Sequence, residues 1–337
     1  MVIPSWNGAE LLRQFLPSVR AAAERYRQET GSPVEILVVD DASSDGSPEL
    51  LLGQNFVQDD SPGGQASGLG LRFLRNETNL GFNAAANRGF RAANHGLILL
   101  LNNDVEVPPD AVATLARHFA DPQVFAVHGS VVDADTGLQC GAGQLLGFAR
   151  GFLRVHQGYT VECGQNARGP LLSAFASGGS AMYHRESLLS LGGFDPLLSP
   201  AYWEDVELSY RAWKRGYTVL YEPGVTVRHR ISSTMGQLAR ARLERLQQRN
   251  RLLYHWVHLH HPGLFAAHLG WVALLALSAP LRLQPRFLSA LGDALGCLPG
   301  MRRRRREERA LAARSDRELL RLFSEFSRQP GIVPRPK

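Results

Sequence analysis

Short polar clusters at the ends of apolar runs carry the side chains that could do chemistry. Asn102-Asn103-Asp104 follows five apolar residues, Leu97 to Leu101. A carboxylate and two amides at a strand tip make an oxygen-rich set, and hard divalent cations take oxygen ligands and bridge protein to diphosphate groups. Asp104 would be the anionic ligand, and His229, late on another apolar run, is a second candidate for metal or diphosphate. The same residue types also build plain strand-to-loop turns by bonding to their own backbone, and a lone histidine can serve packing alone. Asp40-Asp41 closes a second apolar run, Val34 to Val39, and opens Asp-Asp-Ala-Ser-Ser-Asp-Gly, which doubles as a helix-capping turn. Trp203-Glu204-Asp205-Val206-Glu207 begins a helical pattern. A carboxylate fixed there can act as a general base, or can simply complement the helix dipole.

These clusters need a scaffold that brings them together. Leu97 to Leu101 lies between Gly96 and Pro108-Pro109, which fits a central parallel strand covered on both faces. The pattern predicts strands at Val2–Pro4, Val34–Val39, Leu71–Leu74, Leu97–Leu101 and Val124–Val132, alternating with helices at 9–28, 43–52, 83–95 and 110–120. That order calls for a mainly parallel, Rossmann-like α/β sheet with right-handed crossovers. Asp59 to Gly70 reads as an exposed loop, and the glycine-rich stretch from Asp133 to Ser173 as hairpins or a flap. Beyond it come a strand at Phe175–Tyr183, helices at 185–191 and 202–215, strands at 217–221 and 225–230, and a long arginine-rich helix at 238–258.

Composition bounds the remaining choices. The 337 residues suffice for one large domain with an appendage or for two. Formal charge is +6, but up to Val227 there are 16 basic and 24 acidic residues, and beyond it 21 and 7, so the parts carry −8 and +14. Such asymmetry suggests a catalytic body joined to a segment that meets an anionic surface. Nucleic acid is disfavoured, because the body is acidic and the arginines lack interleaved aromatics. Cys140, Cys163 and Cys297 suggest neither a disulfide framework nor a zinc site. With no leader visible at Met1, the expected location is the cytoplasm.

The ordered stretches VIPSWNG, VVDDASSDGS, NETNLGFNAAANRGF, LLLNNDVEV, SGGSAMYHRE, GGFD and YWEDVELSYRAWKRGY resemble the family 2 glycosyltransferases, in their rhamnosyltransferase-like branch. The likeness runs from Val2 to about His229. It implies a GT-A fold, a dTDP- or UDP-sugar donor, a divalent cation (Mg²⁺ or Mn²⁺) and inversion at the anomeric carbon. By the same resemblance Pro4, Trp6, Asn7, Asp40, Asp41, Asn79, Gly81, Phe82, Asn87, Asn102, Asn103, Gly178 and Gly179 would serve nucleotide and donor. Asp104 and His229 would serve the metal. Asp205 becomes the leading base, Glu204 its support or an acceptor ligand, and Trp203 a platform for an acceptor sugar; Glu207 reads as a solvated helix residue. The family's Asp-x-Asp signature appears as Asn102-Asn103-Asp104, which leaves one carboxylate. A catalytically weak, nucleotide-sugar-binding scaffold is therefore the alternative to a transferase acting on a glycan or lipid-linked acceptor in cell-surface polysaccharide synthesis.

Residues 1–235 would form the catalytic domain, with a nucleotide-binding part at 1–132 and an acceptor-binding part at 133–235; residues 236–337 would be a helical extension. Gly263 to Leu281 is almost wholly apolar and borderline for crossing a bilayer, which takes about 20 residues. Arg302 to Arg306 beside it suggests an interfacial helix on anionic lipid at the inner face of the plasma membrane, against the alternative of a core helix with solvated arginines. Residues 314–328 read as an amphipathic helix and 329–337 as a frayed tail.

Overall fold

The computed structural model describes residues 1–59, 69–161, 170–230, 237–279 and 285–335. Cys163, most of the expected 59–70 loop and the end of the 263–281 segment lie outside them. The first half alternates strand and helix: β1 (Val2–Ser5), α1 (Ala9–Thr30), β2 (Val34–Asp40), α2 (Ser47–Gly53), β3 (Val57–Gln58), β4 (Leu69–Arg75), α3 (Phe82–Ala92), β5 (Leu97–Leu101), β6 (Val105–Glu106), α4 (Ala111–Ala116) and β7 (Val124–Asp133). Then follow β8 (Gln139–Gly141), β9 (Gln144–Ala149), β10 (Phe152–Val161), β11 (Ser180–His184), α5 (Arg185–Ser190), α6 (Glu204–Lys214) and β12 (Thr218–His229). The chain ends in α7 (Gln237–His258), α8 (Pro262–Ser278), α9 (Pro285–Gly296), α10 (Leu298–Ala310), α11 (Asp316–Phe326) and β13 (Ile332–Pro334).

The main sheet has the order β3-β4-β2-β1-β5-β11-β7-β12-β6, with β8 on β7. From β3 to β5 all neighbours are parallel, whereas β11 enters antiparallel between β5 and β7. Its strands read as unbroken apolar runs because alternate residues enter different cores. Leu37, Val39, Ile98 and Leu100 join the cluster under α3, α5 and α6, while Ile36, Val38, Leu99 and Leu101 join the one under α1, α2 and α4. The antiparallel insertion matters for function. It sets the residues just before Ser180 against the tip of β5, since Ser180 pairs with Leu101 and Asn102 N–H donates to Gly179 O at 2.9 Å.

Several expectations need correction. The two strands expected at 217–221 and 225–230 are one strand, β12, with an irregularity between Tyr221 and Thr226. The glycine-rich 133–173 stretch does form a hairpin, as expected, in β9–β10 of a second sheet, in which Tyr159 is fully buried. The expected tail includes β13, which pairs with β10 and completes that sheet. Its amphipathic neighbour α11 starts in a capping box, Ser315 with Glu318, and sends Leu319, Phe323 and Phe326 into the main core.

The carboxyl-terminal helices are fastened to the body by buried charge. Lys214 Nζ, on the last turn of α6, meets Asp316 Oδ1 at 2.6 Å, with side chains 2% and 0% exposed. The same carboxylate accepts from the Tyr210 hydroxyl at 2.8 Å and from the amides of His260 and His261 at 2.7 Å each. Removing one member of a buried pair strands the other, at about 3–5 kcal/mol. Asp316→Asn should therefore lower folding stability by about that amount, read as a shift of the urea midpoint at unchanged slope. Truncation after Pro262, which removes Asp316 and the α11 side chains, should give insoluble protein rather than a free catalytic body; a soluble, cooperatively folding product would refute this.

Candidate active site

The loops after β1 and β2 form the side expected to meet the nucleotide. Pro4 ends the predicted strand and lies inside β1, buried and paired with Val39. Trp6 stands 56% exposed at the rim. Asn7 holds a left-handed backbone (φ 48°) and spends its amides on the neighbouring loop: its N–H donates to Ser43 Oγ, and its Oδ1 accepts from Ser44 N–H, both at 2.8 Å. Asp40 and Asp41 divide their labour. Asp41 accepts from Asn76 Nδ2 at 2.6 Å, from Leu80 N–H at 3.0 Å and from Gly81 N–H at 2.8 Å, and so shapes the 76–81 loop. Asp40, wholly buried, meets Arg75 at 3.4 Å through Oδ2 and keeps Oδ1 without a hydrogen-bond partner.

The 79–87 segment is tied to the turn that precedes α6. Asn79 Oδ1 accepts from Gly81 N–H, and Gly81 (φ 86°) lies so close to Pro200 that a Cβ would come within 2.6 Å of it. Phe82 packs on Phe194. Asn87, expected at the donor, instead clamps the main chain of Phe194, donating to its carbonyl and accepting from its N–H at 2.8 Å each. Its neighbour Asn83 is 1% exposed with both amide atoms unpartnered, which makes it the better candidate for a ligand from this helix.

At the tip of β5, Asn103 Nδ2 donates to Ser5 Oγ at 2.9 Å, tying β5 to β1. Asp104 faces the end of β12, where His229 Nε2 lies 2.9 Å from its Oδ1. The approach lacks hydrogen-bond alignment and leaves Oδ1 buried without a hydrogen-bond partner. One carboxylate and one imidazole converging on a common space fit a divalent cation whose other ligands come from a diphosphate and water. Among the described residues no group of three or more His, Cys, Asp or Glu forms a self-sufficient metal cage.

Asp205 lies on the first turn of α6. Its Oδ2 accepts from Gly178 N–H at 3.2 Å and its Oδ1 from Val206 N–H at 2.8 Å. Burial raises its carboxyl above the ordinary range, against the pull of those two amides and of His156. Burial and the charge of Asp205 push Glu204 up to about 8, and its Oε2 is unpartnered. Tyr202 and Trp203, at φ 72° and 71°, form a left-handed entry to the helix, and Trp203 packs against Tyr254, His156 and His255. Glu207 corrects the expectation of a solvated side chain: at 2% exposure it is gripped by Arg211 (2.6 Å) and His258 (2.7 Å). Burial alone would raise its pKa, but Arg211 and His258 hold it at about 2.

Between these halves run Gly178 and Gly179. A Cβ on Gly179 would come within 2.6 Å of Asn102 Nδ2, and one on Gly178 within 3.2 Å of Asp205 Cβ. Beside Asp205 opens a cavity of about 1210 Å³, walled by β10 and α7 and by Tyr202, Trp203 and Glu204. His156, Arg154 and Arg251 face it and were not singled out from sequence. The available signal was the alternation in Leu153-Arg154-Val155-His156, which marks a strand with one polar face.

Comparison with known proteins agrees with this architecture. The model of the family described as glycosyl transferase family 2 matches residues 1–192, and that of glycosyl transferase family group 2 matches residues 97–299. The chain is 26% identical over 294 residues to N-acetylglucosaminyl-diphospho-decaprenol L-rhamnosyltransferase of Mycobacterium tuberculosis, covering 80% of this chain and 87% of that one. It is 22% identical over 253 residues to poly-beta-1,6-N-acetyl-D-glucosamine synthase of Staphylococcus aureus, covering 75% and 54%. Among solved structures, GalNAc-T7 with UDP, GalNAc and Mn²⁺ aligns with a TM-score of 0.56 at 19% identity over 77% of this chain and 48% of that one. The mannosyltransferase PcManGT of Pyrobaculum calidifontis with GDP-Man and Mn²⁺ aligns at 0.52 and 18%, covering 87% and 86%. Matched by the family model over 192 of its 337 residues, with a GT-A sheet and the motifs placed at one cleft, the chain belongs to the family 2 glycosyltransferases and is rhamnosyltransferase-like.

Proposed function

We propose that the chain is an inverting transferase that moves rhamnose or a similar sugar from a dTDP- or UDP-sugar to a lipid-linked or glycan acceptor in cell-surface polysaccharide synthesis. The observation that carries this is the meeting of Asp104 and His229 on one side of Gly178-Gly179 and Asp205 on the other. Asp104 and His229 would hold a divalent cation, which neutralises charge on a departing diphosphate. The 1210 Å³ cavity takes the acceptor. Asp205 removes the proton of the attacking hydroxyl as its oxygen bonds to the anomeric carbon; the carbon–diphosphate bond breaks and its electron pair leaves with the nucleotide. Glu204, raised to about 8, is largely protonated at neutral pH and does not compete for that proton. What weighs against a non-catalytic scaffold is the burial of two carboxyls at the cleft, costly unless they have a task. The similarity to a relative named for a diphospho-decaprenol substrate supports the lipid-linked acceptor.

Peripheral association with the membrane is part of this reading. No helix among the described residues is long and apolar enough to cross a bilayer. Yet α8 leaves Leu269, Trp271, Leu274 and Leu277 exposed, Leu277 at 78%. The arginine run contributes less than its sequence promised. Arg304 is paired with Asp195 at 2.7 Å and Arg305 donates to the carbonyls of Trp256 and Leu259, so only Arg302, Arg303 and Arg306 are exposed.

Asp205→Asn should keep donor binding and lower transfer about 10²- to 10⁴-fold. Because the folded carboxyl is raised, the wild-type rate should fall as pH drops through a value above the usual carboxylate pKa of about 4. A profile flat down to that pH, or near-wild-type transfer by the variant, would remove Asp205 from this role. Asp104→Ala should abolish the metal-dependent part of donor binding by calorimetry and spare nucleoside binding; unchanged metal dependence would place the ligand elsewhere. Replacing both Leu274→Gln and Leu277→Gln should cut sedimentation with phosphatidylglycerol vesicles severalfold, since each buried leucine is worth about 1.5–3 kcal/mol. Equal sedimentation of variant and wild type would make α8 a packing helix only.

A further inference from the structure

The acceptor cavity holds two guanidinium groups that no carboxylate pairs among the described residues, although Glu204 and Asp205 also line it. Arg154, on β10, and Arg251, on α7, both line it. Among the described residues neither guanidinium has a carboxylate partner, and Arg251 Nε is buried without any hydrogen bond. Arg251 lies over the Phe152 ring at 4.1 Å, which fixes its plane, and Phe152 is itself boxed by His255 and His268. Burial first, and then the neighbouring charge of Arg154, lowers Arg251 to about 10, so the two cations are close enough to repel. Three further cavity atoms, Gln144 Oε1, Gln248 Oε1 and Glu204 Oε2, are buried and unpartnered. A desolvated cation without a partner is costly, and a pair of guanidinium forks in one cavity matches the oxygens of a phosphoryl group.

We propose that Arg154 and Arg251 form a phosphoryl subsite of the acceptor cavity, holding the diphosphate of a sugar-diphosphate-linked acceptor while Asp205 meets the sugar hydroxyl. His156 lines the same cavity, near enough to both sides for its imidazole to feel the charges of Asp205 and Arg251. Arg150 lines the cavity, and Gly151 next to it lies against Trp271 of α8, where a Cβ would come within 2.6 Å of the Trp271 Cβ. An alkyl chain leaving the diphosphate there meets the exposed leucines of α8. The inference rests on the reading of the cavity as the acceptor site, and it names the acceptor's link as anionic.

The test uses the full chain and inorganic pyrophosphate with a chelator present, which silences cation-dependent binding at the donor side. Calorimetry should show one site, weakened about tenfold or more in Arg154→Gln and in Arg251→Gln, the loss expected for one charge-assisted hydrogen-bonded contact, and unchanged in Asp104→Ala. Arg251 also stacks in the core, so Arg154→Gln, at an exposed position, carries the result if Arg251→Gln misfolds. In transfer assays Arg154→Gln should raise KM for an alkyl-diphosphate-linked sugar by about the same factor with kcat little changed, and leave KM for the neutral alkyl glycoside untouched. Equal losses on both acceptors, no loss on either, or no pyrophosphate binding by wild type would overturn the subsite. If phosphatidylglycerol vesicles displace pyrophosphate and the soluble alkyl diphosphate does not, the site belongs to lipid head groups and the acceptor assignment is overturned. Pyrophosphate binding is independent of the base, so full transfer by Asp205→Asn would defeat the catalytic reading while leaving the subsite standing.

Discussion

The cleft depends on two residues that have no side chain. Gly178 and Gly179 pass between Asn102 and Asp205 with no room for even a methyl group beside Asn102. The approach exists because β11 runs antiparallel to β5 in an otherwise parallel neighbourhood, so the entry to one strand abuts the exit of the other. A parallel strand in that position would deliver its own carboxyl end to the cleft and carry the Gly-Gly turn to the far edge of the sheet. The separation between Asn102 and Asp205 is thus a sheet-register property, set by backbone atoms that cannot drift as side chains do.

A cleft positioned so tightly needs a rigid far wall, and the carboxyl-terminal helices supply it. Consecutive left-handed residues outside glycine cost energy and persist only when the surroundings over-determine them; Tyr202 and Trp203 are such a pair, directly before the base. Asn250 of α7 fixes them by donating to the carbonyls of Leu198, Ala201 and Tyr202 at 2.7–2.9 Å, and Arg249 adds a bond to Ser199 O at 2.7 Å. One turn further along α6, Arg211 and His258 share Glu207 while Arg211 also donates to Leu191 O and to Gly193 O. The turn that Asn87 clamps from one side is therefore gripped by Arg211 from the other.

Much of this was legible in the sequence where a local pattern had a single physical meaning. Leu97–Leu101 between a glycine and two prolines reads as a doubly covered strand with a polar tip, and the apolar spacing within 314–328 reads as an amphipathic helix. What stayed illegible were partnerships between distant residues. Glu207 looks like any helix glutamate until His258, 51 positions away, is known to be its partner. Asn87 looks like a ligand until Phe194 claims both ends of its amide. Residues 332–334 carry no strand signal of their own, because three residues gain order only from β10 beside them. His156 and Arg154 lay in a stretch read only as hairpins or a flap, and which of its residues would face a cavity depended on strands that pack from elsewhere in the chain.

The charge asymmetry is the clearest case of one observation with two physical sources. A carboxyl-terminal third at +14 reads, from composition, as a surface built for anionic lipid. In the fold many of those arginines point inward. Arg249, Arg305 and Arg314 each donate to two main-chain carbonyls, and Arg304 meets Asp195 and Glu308. A planar guanidinium with several donors is suited to bridging carbonyls of irregular loops, where a lysine would satisfy them one at a time. These arginines supply the partners that the loops around α6 lack in their own backbone. Among those that find neither carbonyl nor carboxylate in the described residues, Arg251 faces the cavity beside Arg154 of β10, with charge to offer a ligand.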